Sequence, residues 1–223
     1  RLFAYYGFDE GLAGHITLRD PEFQDHFWVN PLGMNFAHIT VSDLLLVKED
    51  GEIIQGERPI NPAAFFIHSA IHAARPDVNS AAHAHSIYGR TFSTLGKVLD
   101  PITQDAAMFY EEQSLYSDYG GVAFDKGEGE EIAKALGEKR TAILQNHGIL
   151  TTGQTVDVAT WLFISMDKCC QSQLLAEASG KPIIIPDEMA EHAKKQAGTD
   201  LILWASFQPL YDLIYELSPD FLD

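Results

Sequence analysis

Cysteine is nearly absent from the 223 residues: Cys169 and Cys170 are the only two, and they are adjacent. Neighbouring thiols in a helical pattern build no disulfide framework, so a reducing setting, the cytoplasm, is expected. Cationic residues are scarce too, 15 Lys and Arg against 32 Asp and Glu, for a net charge of -17. That balance argues against nucleic acid, whose affinity comes from neutralised phosphates, and against anionic membrane surfaces. Solubility is the plainer meaning of the acidity, which carries no information on fold. No apolar run is long enough for a membrane span. Gly (17) and Pro (10) are too few for a collagen-like chain. No repeat of fixed period occurs, and no Gly- or Ser-rich linker divides the sequence. A single domain over residues 1–223 is therefore expected. No signal peptide shows, but the chain opens at Arg1 rather than Met, so its first residues decide nothing. The G-x-G-x-x-G, P-loop and G-x-S-x-G signatures are missing.

What is present is an alternation of strands and helices. Residues 1–8 read as the end of a helix broken by Gly7 and Gly11. Gly14–Asp20 and Asp25–Asn30 read as strands, and Leu44–Val47 with Ile53–Ile54 completes a β-meander. Asn61 and Pro62 suit the cap and first position of a helix that ends near Arg75-Pro76. Val78–His85 reads as a strand, Ser86–Leu95 as a helix, 99–125 as irregular, and Glu130–Leu136 as a short helix. Thr141–Gln145 and Ile149–Thr151 follow as strands. Thr155 opens a long helix to about Ser179, with Gly180 as its terminator. A polar helix and an aromatic tail, Trp204 to Phe221 within residues 200–223, complete the chain. The class expected is α/β or α+β.

Three histidine patterns carry possible chemistry. His83-Ala84-His85 on a strand places two imidazoles on one face, about 6.5–7 Å apart along the chain. Alone, two hydrogen-bonded core histidines explain it as well. His147, in Gln145-Asn146-His147-Gly148, stands at a strand end and could add a third imidazole; the plainer alternative is a turn residue bonded to backbone. Three protein ligands with an open position is a catalytic arrangement, and neutral ligands leave the metal its full charge as a Lewis acid. His68 and His72 have the i, i+4 spacing of the zinc proteases. Ser69 replaces the Glu such an enzyme needs as base, so helix histidines packed near the site are the better account.

Taken together the motifs resemble the class II aldolase/adducin family along nearly the whole chain. They are Ala13-Gly14-His15-Ile16-Thr17-Leu18-Arg19, Asn30-Pro31-Leu32-Gly33, Arg75-Pro76-Asp77, His83-Ala84-His85 and Gln145-Asn146-His147-Gly148. The resemblance implies a three-layer α/β/α domain with a central, mainly antiparallel sheet. It implies a ring-shaped homotetramer with active sites between subunits. It also implies one divalent metal per chain on His83, His85 and His147, with zinc the first choice and Mn or Fe the others. A small-molecule substrate would meet His15, Asn30, Gly33 and Asn61.

Departures from the family pattern bear on the reaction. Family sugar-phosphate aldolases carry two Ser and a Glu at the start of the helix before the Arg-Pro-Asp landmark. Here those positions fall on Pro62, Ala63 and Ala64. Phosphate loses its hydroxyl donors and the mechanism loses its base, so a phosphorylated sugar is not the expected substrate. Replacement proton carriers would come from the 99–125 segment, with Tyr110, Glu111 and Tyr116 first and Asp105, Glu112 and Tyr119 beside them. Trp204, Phe207, Tyr211 and Tyr215 could close a neighbour's site, although packing explains them as well. The leading expectation is a metal-dependent carbon-carbon lyase, decarboxylase or aldolase in type, that acts on a small oxo, hydroxy or aromatic acid through a stabilised enolate. Loss of the Glu tilts it toward decarboxylation, which needs no base to begin. One alternative is a non-haem iron oxygenase cleaving a 2-oxo acid, since imidazole suits several metals. Another is a non-catalytic module like the adducin head. The adducin head has lost the metal ligands, and the three retained histidines count against that alternative.

Overall fold

The computed structural model describes residues 1–121 and 126–223. In chain order the elements are α1 (Leu2–Tyr5), β1 (His15–Arg19), β2 (His26–Val29), β3 (Leu45–Lys48), β4 (Ile53–Gln55), α2 (Pro62–Ala74), β5 (Ser80–Ala84), α3 (Ile87–Ser93), α4 (Gln104–Ala107), β6 (Gln113–Tyr116), α5 (Lys126–Leu136), β7 (Thr141–Leu144), β8 (Gly148–Gly153), α6 (Val156–Ser179), α7 (Asp187–Ala197) and α8 (Asp200–Leu217). The eight strands form one sheet in the order β4-β3-β2-β1-β5-β8-β7-β6. All neighbours are antiparallel except β6 and β7, which run parallel. The meander read from the sequence is β1 to β4. β5 enters beside β1, and this places His15 opposite His83.

The strands at the middle of the sheet are buried on both faces. Along β7, Ile143 joins a core with Phe3, Phe92, Phe163 and Leu203, while Ala142 and Leu144 join another with Ile67, Ile71, Ile132 and Leu136. Ile149 and Leu150 of β8 divide in the same way. Helices therefore pack around the sheet: α1, α3, α6 and α8 supply the first core, α2 and α5 the second. Strands with two buried faces read as continuous apolar runs rather than alternations. Strand β5, Ser-Ala-Ala-His-Ala, is buried throughout, its small side chains letting the covering helices approach.

Several expectations change. The 99–125 segment is not irregular throughout, because it holds α4 and β6; its last four residues, 122–125, lie outside the described residues. Helix α4 is capped by the Thr103 hydroxyl, which accepts from Ala106 N. Strand β6 has half-buried residues on both faces and hence no alternation, and it is recognisable only through its pairing with β7. Helix α5 starts earlier than Glu130, since Gly127 and Gly129 hid its first turn. The tail is helical: Thr199 caps α8 at Ile202 N, and Leu203 and Phe207 are buried, while Trp204, Tyr211 and Tyr215 are exposed. Strand β5 ends at Ala84, so His85 sits just beyond it. Among the described residues no helix is long and apolar enough to cross a membrane.

Gly129 marks the crossing of α5 over α2. A Cβ there would collide with the Phe66 carbonyl oxygen, a backbone atom that cannot swing aside. Gly129→Ala should therefore cost about 1–3 kcal/mol despite its better helix propensity. A lowered urea midpoint at unchanged slope would register it, and an unchanged midpoint would refute the close crossing.

Candidate metal centre

Strand β5 holds His83 between β1 and β8, opposite His15 on one side and Leu150 on the other. The His83 Nδ1 lies 2.8 Å from the Ile149 carbonyl oxygen. A carbonyl only accepts, so Nδ1 carries the hydrogen and donates, and Nε2 is left with a bare lone pair. That Nε2 is buried and has no hydrogen-bond partner. An orphaned buried acceptor is costly unless something occupies it.

The turn between β7 and β8 delivers His147. Asn146 adopts φ of +59° and its N–H donates to the Ser93 carbonyl at 3.3 Å. Gly148 lets the turn close over the imidazoles, since a Cβ would sit 3.3 Å from the Ala84 carbonyl oxygen and 3.5 Å from His83 Cε1. The left-handed backbone at Asn146 is tolerated by Asn and Gly and costs other residues about 1–2 kcal/mol. Asn146→Ala should lower the melting temperature while Asn146→Gly should not; equal melting of the two variants would contradict this account of the turn.

The ring centroids of His83, His85 and His147 lie 4.7 to 5.2 Å apart. One ligand nitrogen from each ring falls within 4.8 Å of the others. All three are held below the ordinary imidazole range. Burial is the main cause for each, and His147 is pushed down to about 4. Neutral imidazole is the form that ligates metals, so the residues present fit a divalent ion. Helix α6 steadies the segment behind His85. Its buried Asp167 accepts from Gly89 N at 2.8 Å, close to the start of α3, where Ser86 makes no side-chain cap.

The other candidate residues distribute unevenly. His15 lies beside the triad, its ring 4.9 Å from that of His83. Asn30, Gly33 and Asn61 line one small cleft together with Leu12 and Asn35. The amides of Asn30 and Asn61 are engaged by backbone. Asn30 accepts from Ile16 N at 2.9 Å and donates to Gly14 O at 3.3 Å, while Asn61 caps α2 at Ala63 N and donates to Leu12 O. Tyr110 faces Asp187 and Lys194 of α7. Glu111 is exposed, with φ of +59°, and its carbonyl accepts from Lys139. Tyr116 packs against the core beneath α2 and α5, and its carbonyl accepts from Gln145 N, two residues before His147. The contacts of these three run to α5, α7, Lys139 and Gln145 rather than to the triad.

His68 and His72 do not converge as a chelating pair. Both nitrogens of His68 are taken, Nε2 by His15 and Nδ1 by Thr17, and His72 Nε2 meets the same Thr17 hydroxyl. Thr17 is the participant that reading the sequence missed. His15 and Thr17 alternate on β1 as a buried face does, but they are the polar set of the strand, which gives no hydrophobic signal of an inward face.

Residues 1–174 match the family described as class II aldolase and adducin N-terminal domain. The chain is 46% identical over 222 residues to decarboxylase NovR of Streptomyces niveus, covering 99% of this chain and 82% of that protein. It is also 46% identical over 222 residues to the 4-hydroxy-3-prenylphenylpyruvate oxygenase/4-hydroxy-3-prenylbenzoate synthase of Streptomyces roseochromogenus subsp. oscitans, covering 99% of this chain and 80% of that one. Among solved structures, L-fuculose 1-phosphate aldolase from Glaciozyma antarctica PI12 superposes with a TM-score of 0.93 at 44% identity, over 100% of this chain and 88% of that one. By family match, sequence identity and fold, the chain belongs to the class II aldolase and adducin family.

Proposed function

We propose that the chain is a divalent-metal-dependent carbon-carbon lyase acting on a small, non-phosphorylated oxo, hydroxy or aromatic acid, with His83, His85 and His147 as the metal ligands. The observation that carries this reading is the convergence of three neutral imidazoles on one point, with the bare, buried Nε2 of His83 among them. Family membership and a decarboxylase-named relative support an enzyme of the lyase type, and the three retained histidines weigh against the adducin-like module. When bound, the metal supplies Lewis acidity toward the negative charge that bond cleavage leaves on a substrate oxygen. Zinc is the first choice, with Mn or Fe as the others.

The chain's own residues restrict the chemistry. The start of α2 offers no side-chain hydroxyl at Pro62 or Ala63 for a phosphate, and Ala64 cannot move a proton. Decarboxylation suits such a site, since carbon dioxide leaves its electron pair behind without a base. His15, Asn30, Gly33 and Asn61 are the proposed substrate contacts. Tyr110, Glu111 and Tyr116 stay as proposed proton carriers only if subunit contacts or movement bring them to the triad. The same reading includes a single domain with three-layer packing, supported by the two cores that flank the sheet, a cytoplasmic homotetramer, and neither nucleic acid nor membrane as partner.

A second reading, a non-haem iron oxygenase cleaving a 2-oxo acid, is favoured by the oxygenase name of the relative from S. roseochromogenus. Metal analysis of untagged protein purified without added metal, followed by assays with 2-oxo and 2-hydroxy acids, separates the two. Zinc or manganese near one equivalent, with carbon dioxide released under argon, supports the lyase. Iron with oxygen uptake supports the oxygenase. Protein that neither contains nor binds metal refutes both.

A further inference from the structure

The buried face of β1 meets the buried face of α2 through an unbroken line of polar atoms. His72 Nδ1 lies 3.4 Å from the Val78 carbonyl oxygen, and His72 Nε2 lies 2.9 Å from Thr17 Oγ1. Thr17 Oγ1 lies 2.6 Å from His68 Nδ1, and His68 Nε2 lies 2.6 Å from His15 Nδ1. The three rings and the threonine are buried. The line joins only imidazoles, one hydroxyl and one carbonyl, with no carboxylate to balance a charge, so each buried ring is neutral and carries one ring hydrogen.

A neutral imidazole donates from one nitrogen and accepts at the other. The direction of the whole line is then fixed at its end, because the Val78 carbonyl can only accept. His72 must carry its hydrogen on Nδ1 and accept at Nε2. The Thr17 hydroxyl donates to that Nε2 and accepts from His68 Nδ1–H. His68 accepts at Nε2 from His15 Nδ1–H. His15 is left with an unprotonated Nε2 and, among the described residues, no protein partner for it, on the ring that packs 4.9 Å from His83 beside the triad. The reverse arrangement would set a bare His72 Nδ1 against the Val78 oxygen, two lone pairs face to face.

We propose that Thr17, His68 and His72 are positioning residues that lock His15 in the Nδ1–H tautomer, so that the metal centre is faced by a hydrogen-bond acceptor. This rests on the triad being the reaction site. The lock adds specificity to it. A substrate hydroxyl can donate to the His15 Nε2, whereas a carboxylate or oxo oxygen in the same place meets a lone pair. The class of ligand favoured at that position is therefore a hydroxyl-bearing acid, its hydroxyl turned toward β1. The line does not conduct protons through the protein, since it ends on a carbonyl that has none to exchange.

Long-range proton–nitrogen NMR of the histidine-labelled protein, metal-free and zinc-loaded, tests the lock, with the His15 signals assigned by their loss in His15→Gln. The expected result is a protonated Nδ1 and a bare Nε2 on His15. A protonated Nε2 in the wild-type protein overturns the proposal without recourse to any variant. Thr17→Val removes the hydroxyl at constant shape. The His68 Nδ1–H would then have no partner at the closed end of the line, whereas an Nε2–H on His15 would face the site, where water or substrate can accept it, so both His68 and His15 should switch to Nε2–H. Thr17→Ser should restore the original tautomer. An unchanged His15 tautomer in Thr17→Val overturns the proposal. Zinc titration of the same wild-type sample reads the triad separately. The expected tautomer in a protein that binds no zinc would support the lock while refuting the metal reading.

Discussion

Replacing His83 by alanine should reduce metal binding from one equivalent per chain to none detectable after dialysis. His83 is the ligand whose geometry is most completely determined: the Ile149 carbonyl fixes its tautomer, and its Nε2 is buried without any other partner. Removing residues that only orient a ligand typically costs 10–100-fold in affinity, so losing the ligand itself should cost more than about 100-fold. The same loss should be visible without any substrate. Zinc at about 100 times its dissociation constant raises stability by about 2.7 kcal/mol when it binds only the folded state. The wild-type melting temperature should rise on adding zinc and that of His83→Ala should not. His26→Ala is the fitting control. That ring pairs with Asp25 on β2, away from the triad, and its loss should leave both the stoichiometry and the zinc response intact. One retained equivalent in His83→Ala would refute the proposed ligand set.

The three triad histidines could be read from the sequence because each stands at a position that local rules define. An H-x-H pair at a strand end and an Asn-His-Gly turn need only the period of a strand and the tolerance of Asn and Gly for unusual backbone. The meander, the cap at Asn61 and the long helix from Thr155 are local in the same sense, and each is found where expected. What stayed hidden depends on partners distant in the chain. Strand β6 has no pattern of its own and exists because β7 pairs with it. Helix α5 contains Gly129 because α2 passes so near. The link from His15 to His68 spans 53 residues, and the polar face of β1 is inward only because α2 offers imidazoles to receive it. Propensity assigns such positions by default to turns, to surface or to an apolar interior, and tertiary contact reverses the assignment.

That buried polar seam should also make the protein acid-sensitive in a defined range. His72 is pushed down from the ordinary 6.5 to about 4, first by burial and then by the charge of Arg19, and His68 is held well below 6.5 by burial and by His72. In the unfolded chain both rings take up a proton as pH falls through about 6.5, while in the folded chain they cannot. The unfolded state then binds more protons, so stability is full above 6.5 and falls with pH down to the folded-state values. Each group contributes about 1.4 kcal/mol per pH unit in that window, which makes His72 alone worth about 3 kcal/mol by pH 4. For a protein with a typical 5–15 kcal/mol in hand, two such rings remove a large share of it. Asp167, raised by burial, acts in the opposite sense. A difference measurement cancels that contribution, together with those of the triad histidines. Urea midpoints taken with chelator between pH 7.5 and 4.5 should fall for the wild type. His72→Gln, which keeps polar atoms at the position but cannot titrate, should fall less steeply, by up to about 1.4 kcal/mol per pH unit. Parallel pH profiles for the two proteins would mean that His72 takes up its proton as readily in the folded chain as in the unfolded one. The neutral seam, and with it the fixed direction of its hydrogen bonds, would then be wrong.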